Sequence, residues 1–193
     1  ALFYTVDIDS KVVVNADKIS QTSTLKFKKL QGKDDMMTVA LSRSLDDMVV
    51  TGEGKTLKAW AVRDVNGKLF LDLQVSDPKV DSLTVIVKGT TDWKTGVIDL
   101  MTFGPNSEVK NLGNAGFNEK VELRSDAALA MRTVSASGFV KVKENTDNYD
   151  LFVSKGVTKL SIEAPKSDAG FGKADLRNVN LSAVLSEDKK RSV

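Results

Sequence analysis

Ser76-Asp77-Pro78-Lys79 sets a serine three residues before a lysine, and Lys94-Thr95-Gly96 follows it. That is the spacing of serine β-lactamase chemistry, in which the serine attacks and the lysine manages its proton. The chemistry needs a helix that turns the lysine back onto the serine. Ser-Asp-Pro between strand-forming stretches reads instead as a turn, and the S-D-N element between the two motifs is missing. Gly52-Glu53-Gly54-Lys55-Thr56 matches the end of a phosphate-binding loop, whose backbone N–H groups and lysine cradle phosphates. The glycine required five residues before Gly54 is Val49, so this stretch reads as a hairpin or bulge.

The chain contains no histidine and no cysteine. This removes the Ser-His-Asp triad, histidine general-base catalysis, HExxH metal sites, cysteine nucleophiles, thiolate zinc sites and disulfides. Carboxylates remain. Oxygen-rich candidates for a hard cation are Asp7 with Asp9, and the run Asn145-Thr146-Asp147-Asn148-Tyr149-Asp150, in which Asp147 and Asp150 would be the ligands. Neither completes an EF-hand loop. A solvated strand face at 7 and 9 and an Asx-rich hairpin turn at 145–150 account for them without an ion, and no cofactor is expected. Carboxylate-based hydrolysis would need two acids brought together from separate strands.

Two stretches interleave cations with aromatics as single-strand nucleic-acid grooves do, Lys26-Phe27-Lys28-Lys29 and Lys55–Arg63 with Lys58 and Trp60. Phe27 alternates with Lys26 and Lys28, as in an edge strand whose lysines discourage edge-to-edge pairing. In the polar loop 89–96, Asp92-Trp93-Lys94 centres a tryptophan between two strands, and Trp93 is the leading contact residue, as an interface anchor or a sugar-stacking platform. The candidate binding residues are therefore Trp93, Lys94, Asp92, Lys26, Lys28 and Lys29.

These residues must be positioned by strands, because helical periodicity is scarce and short apolar alternations recur between Gly, Asn, Asp and Ser clusters. Strands are predicted near 3–14, 24–30, 36–41, 56–63, 68–75, 82–88, 97–103, 117–124, 133–142, 149–154, 157–163 and 174–185. Val65-Asn66-Gly67-Lys68 predicts a two-residue type I′ hairpin, since Asn-Gly supplies two positive φ angles. Its register makes paired residues sum to 133, with Trp60 opposite Leu73, Val62 opposite Leu71 and Lys58 opposite Val75 on a core face. Ala61 opposite Asp72 and Ala59 opposite Gln74 form the wet face. Short helices are expected at Leu41–Met48 and Ser125–Arg132, the latter capped by Ser125.

The fold expected is an all-β, antiparallel two-sheet sandwich with one or two short helices, the alternative being a distorted barrel. One β-rich domain over 1–185 is expected, with 104–116 as the place a subdivision would fall, and 186–193 as a charged flexible tail. Lys and Arg total 28 against 26 for Asp and Glu, so the net charge of +2 implies no nucleic-acid or membrane partner from bulk electrostatics. No apolar run spans a bilayer, so a soluble chain is expected, and Ala1 fits either loss of an initiator Met or cleavage of a signal; the compartment stays open, with a virion or an extracytoplasmic location among the choices.

By elimination, the function expected is a non-enzymatic structural or interaction module, a subunit of a virion, surface layer or extracellular complex, with protein partners or self-assembly. Carbohydrate or single-stranded nucleic-acid binding is the second reading and a carboxylate hydrolase the third.

Overall fold

A computed structural model of the chain describes residues 3–32, 34–92, 96–106, 116–125, 132–143 and 149–164, and these form an all-β sandwich. The strands are β1 (Phe3–Val14), β2 (Lys18–Gln31), β3 (Met36–Leu41), β4 (Asp46–Gly52), β5 (Leu57–Val65), β6 (Lys68–Val75), β7 (Ser82–Asp92), β8 (Gly96–Asp99), β9 (Phe103–Gly104), β10 (Phe117–Ser125), β11 (Arg132–Lys143) and β12 (Asp150–Ala164). The larger sheet runs β11-β12-β10-β1-β2-β7-β4, with β8 paired to the far part of β12, and the smaller runs β5-β6-β3-β9. Both sheets are open, so the barrel alternative does not apply. Pairing is antiparallel except between β1 and β10, which run parallel with Val6 beside Phe117.

Alternation in the sequence becomes two-sidedness in the sheet. Along β2, Ile19, Gln21, Ser23, Leu25 and Phe27 are buried, while Lys18, Lys26 and Lys28 are exposed on the other face. The main core fills the space between the sheets with residues such as Ile8, Leu25, Phe27 and Val85 from one and Met37, Val39, Leu71 and Leu73 from the other. A second cluster, Val12, Val14, Ile19, Leu100, Val121, Leu123, Phe139 and Phe152, fills the opposite end of the larger sheet.

Between the two clusters lies a belt of buried polar side chains, Ser10, Gln21, Ser23 and Glu119. For Gln21 and Glu119 the cause is the path of the chain from β8 to β9, which leaves the larger sheet and joins the smaller. Backbone groups in that crossing are buried and need partners. Gln21 meets Met101 like a ladder residue, donating through Nε2 to its carbonyl at 3.0 Å and accepting from its N–H at 2.9 Å. The Ser42 hydroxyl accepts from Thr102 N–H at 2.8 Å, and Glu119 accepts from Phe103 N–H at 3.1 Å. Ser10 and Ser23 pair hydroxyl to hydroxyl at 2.6 Å.

Tyr4 fastens one sheet to the other. Its hydroxyl donates to the Thr38 carbonyl and accepts from Thr38 N–H at 3.0 Å. It stands in for a strand partner on β3 beyond Ala40 and Leu41, where the pairing with β9 ends. Burial raises the Tyr4 pKa.

Four expectations are corrected. Leu41–Met48 is not a helix: Leu41 closes β3, Ser42–Leu45 is a corner and Asp46 opens β4. The stretch 97–103 is two strands in different sheets rather than one, because the chain changes layer at Leu100–Thr102. The stretches 149–154 and 157–163 are one strand, whose halves pair with β10 and β8 in turn. Lys58 is not opposite Val75, because a bulge shifts the register and puts Leu57 there. The second expected helix keeps only its ends within the described residues, Ser125 closing β10 and Arg132 opening β11; the strand at 174–185 and the tail at 186–193 lie outside them. Among the described residues there is no helix long and apolar enough to cross a membrane.

Candidate interaction surface

The β5–β6 hairpin forms as its turn dictates. Asn66 and Gly67 take φ of 54° and 87°, and pairs from Val65–Lys68 back to Ala59–Gln74 keep the expected register. Asp64 Oδ1 accepts the Gly67 N–H at 2.8 Å and braces the turn. In a two-residue hairpin the flanking pair is hydrogen-bonded and the pattern then alternates. Ala59, Ala61 and Arg63 therefore direct N–H and C=O toward β6, whereas Trp60, Val62 and Asp64 direct theirs away from it.

Among the described residues β5 pairs on one side alone, at the end of the smaller sheet. Its face also departs from expectation. Leu71 and Leu73 are fully buried, but Trp60 and Val62 opposite them remain 37% and 36% exposed. The larger sheet ends at β4, which meets β5 where Gly52 lies against Leu57; a Cβ at residue 52 would come within 2.5 Å of the Leu57 Cβ. Beyond that point Trp60 and Val62 overhang. Arg63, on the other face, is held by Asp72 through bonds of 2.7 and 3.0 Å and lies over the Phe70 ring at 5.0 Å. The Arg63 hydrogen bond holds the Asp72 carboxyl below its ordinary pKa, and Thr38 Oγ1 adds a bond at 2.7 Å.

The solvent face of the larger sheet carries a trough of about 640 Å³ lined by Asp7, Asp9, Lys11, Lys26, Asn118 and Lys120 among others. Its charges answer one another. Lys26 is the cross-strand partner of Asp7, which also accepts from Asn118 Nδ2 at 3.1 Å, and Lys120 is 4.0 Å from Asp9. A second trough of about 440 Å³ holds Lys29, Lys79, Asp77 and Asp81. The acids of each trough come from a single strand or a single loop, not from separate strands.

Lys26 and Lys28 lie exposed on the outer face, while Phe27 between them is buried in the core and Lys29 Nζ donates to the Pro78 carbonyl. Asp92 lies at the other end of the sheet, 3.9 Å from Lys18. Eight positions of β2 separate Lys18 from Lys26, about 26 Å of strand, so Asp92 and the lysines do not converge. Trp93, Lys94 and Asp147 fall outside the described residues. Asp150 lies 3.8 Å from Lys141, a cation where a metal site would need another acid. Among the described residues no three of His, Cys, Asp and Glu group to hold a metal ion. Ser76 and Lys79 occupy a turn, with the Ser76 hydroxyl donating to the Lys55 carbonyl at 2.7 Å. The edge at Trp60 and Val62 was missed in the sequence; its one local signal is that charged Lys58 and Asp64 are in phase with them, marking a face that is not closed.

The chain matches no protein-family model and no curated protein. Solved structures of low similarity do match. Native leukotriene A4 hydrolase from Saccharomyces cerevisiae is 14% identical over 84% of this chain and 29% of its own, with a TM-score of 0.48. An M1 zinc metallopeptidase from Deinococcus radiodurans is 14% identical over 83% of this chain and 42% of its own, with a TM-score of 0.35. The chain thus spans less than half the length of either, and neither enzyme's activity passes to it at this likeness. Histidine- and cysteine-dependent catalysis is excluded for this chain by composition.

Proposed function

We propose that this chain is a non-enzymatic interaction module, a subunit of a larger assembly that makes protein contacts through the β5 edge. The observation that carries the reading is the outward row of N–H and C=O groups at Trp60, Val62 and Asp64, coupled to the exposed apolar pair Trp60 and Val62 on one face. Such an edge is a template for another strand, whose backbone gives affinity and whose alternate side chains give specificity. The charged trough is a weaker candidate, because its charges alternate in sign: Lys120 lies 4.0 Å from Asp9 and Lys26 is the cross-strand partner of Asp7.

The test is photo-crosslinking in the cells that make the protein, with a photoreactive residue at Val62 and, as control, at Lys88 on the outer face. Protein adducts are expected from position 62 and not from position 88. Equal yields from the two positions would remove the β5 edge as the contact surface.

A further inference from the structure

We propose that the partner of the β5 edge is a second copy of this chain, joined by antiparallel β5–β5 pairing about a two-fold axis at Ala61. The inference rests on the reading of β5 as a contact edge and adds the partner and the register.

A two-fold interface brings one strand against itself, so its sequence must complement its own reversal. Centred on Ala61, paired residues sum to 122. Trp60 then meets the second copy's Val62, twice, and both residues direct their backbone groups outward, so these are the hydrogen-bonded pairs. Ala61 meets Ala61 as the close, non-hydrogen-bonded pair, where small side chains suit the short separation. Lys58 meets Asp64, opposite charges across the strands, again twice. Lys58 is the bulged residue, and its long side chain reaches the carboxylate from there.

Neighbouring registers lose this match. Centring on Val62 sets Trp60 against Asp64, and centring on Trp60 sets Val62 against Lys58. Only the Ala61 register of these three puts apolar residues on apolar and opposite charges together. The overhanging Trp60 and Val62 of both copies would then close over the end of the main core, covering the face that the larger sheet leaves open. One strand pair buries less than the roughly 1,200 Å² of a standard interface. The dimer is therefore a weak one, read by its concentration dependence.

The test uses the purified full chain. Sedimentation equilibrium over micromolar to millimolar concentration is expected to show a monomer–dimer equilibrium. Val62→Pro removes an outward N–H without touching the β5–β6 ladder, as proline on a strand edge does. It should weaken dimerisation at least about tenfold while leaving circular dichroism unchanged.

Lys58→Asp and Asp64→Lys should each abolish self-association, yet the two variants mixed should pair with each other, which a merely structural effect would not produce. Because the chain has no cysteine, Ala61→Cys reports the register alone and does not depend on the proline variant folding. It should oxidise to a disulfide dimer faster than Ala59→Cys. Equal oxidation rates, an unweakened Val62→Pro dimer or a strict monomer would each overturn the proposal. A strict monomer whose residue-62 adducts in cells hold a different protein would leave the edge reading standing and remove self-pairing alone.

Discussion

At the scale of single residues, buried Gln21 and Glu119 serve the backbone of the crossing segment. Gln21 satisfies both the N–H and the C=O of Met101, so Gln21→Leu would leave two buried groups without it, each costing about 1–3 kcal/mol. The expected loss is about 2–4 kcal/mol in urea denaturation; a loss below about 0.5 kcal/mol, the size of an ordinary surface effect, would mean that the crossing segment relaxes freely.

Asp72 makes a prediction in pH. Its folded pKa is depressed, first by the Arg63 hydrogen bond, so its stabilisation is present above the unfolded value of about 3.9 and is lost as pH falls through the lower folded value. Wild type should therefore lose stability more steeply below about pH 4 than Asp72→Asn, and the gap between them should narrow on acidification. Parallel curves would show that Asp72 contributes nothing through its charge. None of this was legible in the sequence: Gln21 and Glu119 look like surface residues there, because the segment they serve is 80 and 16 residues away.

At the scale of elements, legibility followed how local the cause is. The Asn66-Gly67 turn carries its own geometry, and its register was readable from Val65–Lys68 as far as Ala59–Gln74, where the bulge at Lys58 ends it. Gly67→Ala, at φ 87°, should destabilise by about 1 kcal/mol or more because a Cβ is strained there, although a Cβ at that position meets nothing within 4 Å. Thermal melts check it, and an unchanged melting temperature would mean that the turn changes type.

The stretch 41–48 misled because Leu41, Leu45 and Met48 recur at helical spacing. In the fold Leu41 ends one strand, Leu45 fills the corner and Met48 lies on the next strand, and all three pack on the same core. A strand–corner–strand path thus imitates a helix face. The candidate site failed for a related reason. Pairing showed which face Trp60 and Val62 share, but whether another sheet reaches over that face depends on where β4 ends.

At the scale of the whole molecule, the all-β sandwich class was legible because alternation repeats along the chain, whereas strand order was not. The deciding contact is the parallel β1–β10 pair, joining Val6 to Phe117 across the stretch 104–116, the place where a subdivision of the single expected domain would fall. Such non-local pairing slows folding toward the millisecond-to-second range, and it also ties the two halves of the sequence into one sheet. Cutting after residue 106 would leave the main core almost whole, since among the described residues Phe117 is its one buried member from beyond the cut. The second cluster would lose Val121, Leu123, Phe139 and Phe152 together, stripping Val12, Val14, Ile19 and Leu100 of cover, while Phe103 N–H would lose Glu119. Fragment 1–106 should therefore keep strand structure by circular dichroism but bind a hydrophobic dye and melt well below the full chain. Adding fragment 107–193 should reverse both effects by restoring β10 between β1 and β12. A fragment 1–106 that melts with the full chain and binds no dye would instead make the first half an autonomous domain, with the β1–β10 pair a contact between domains.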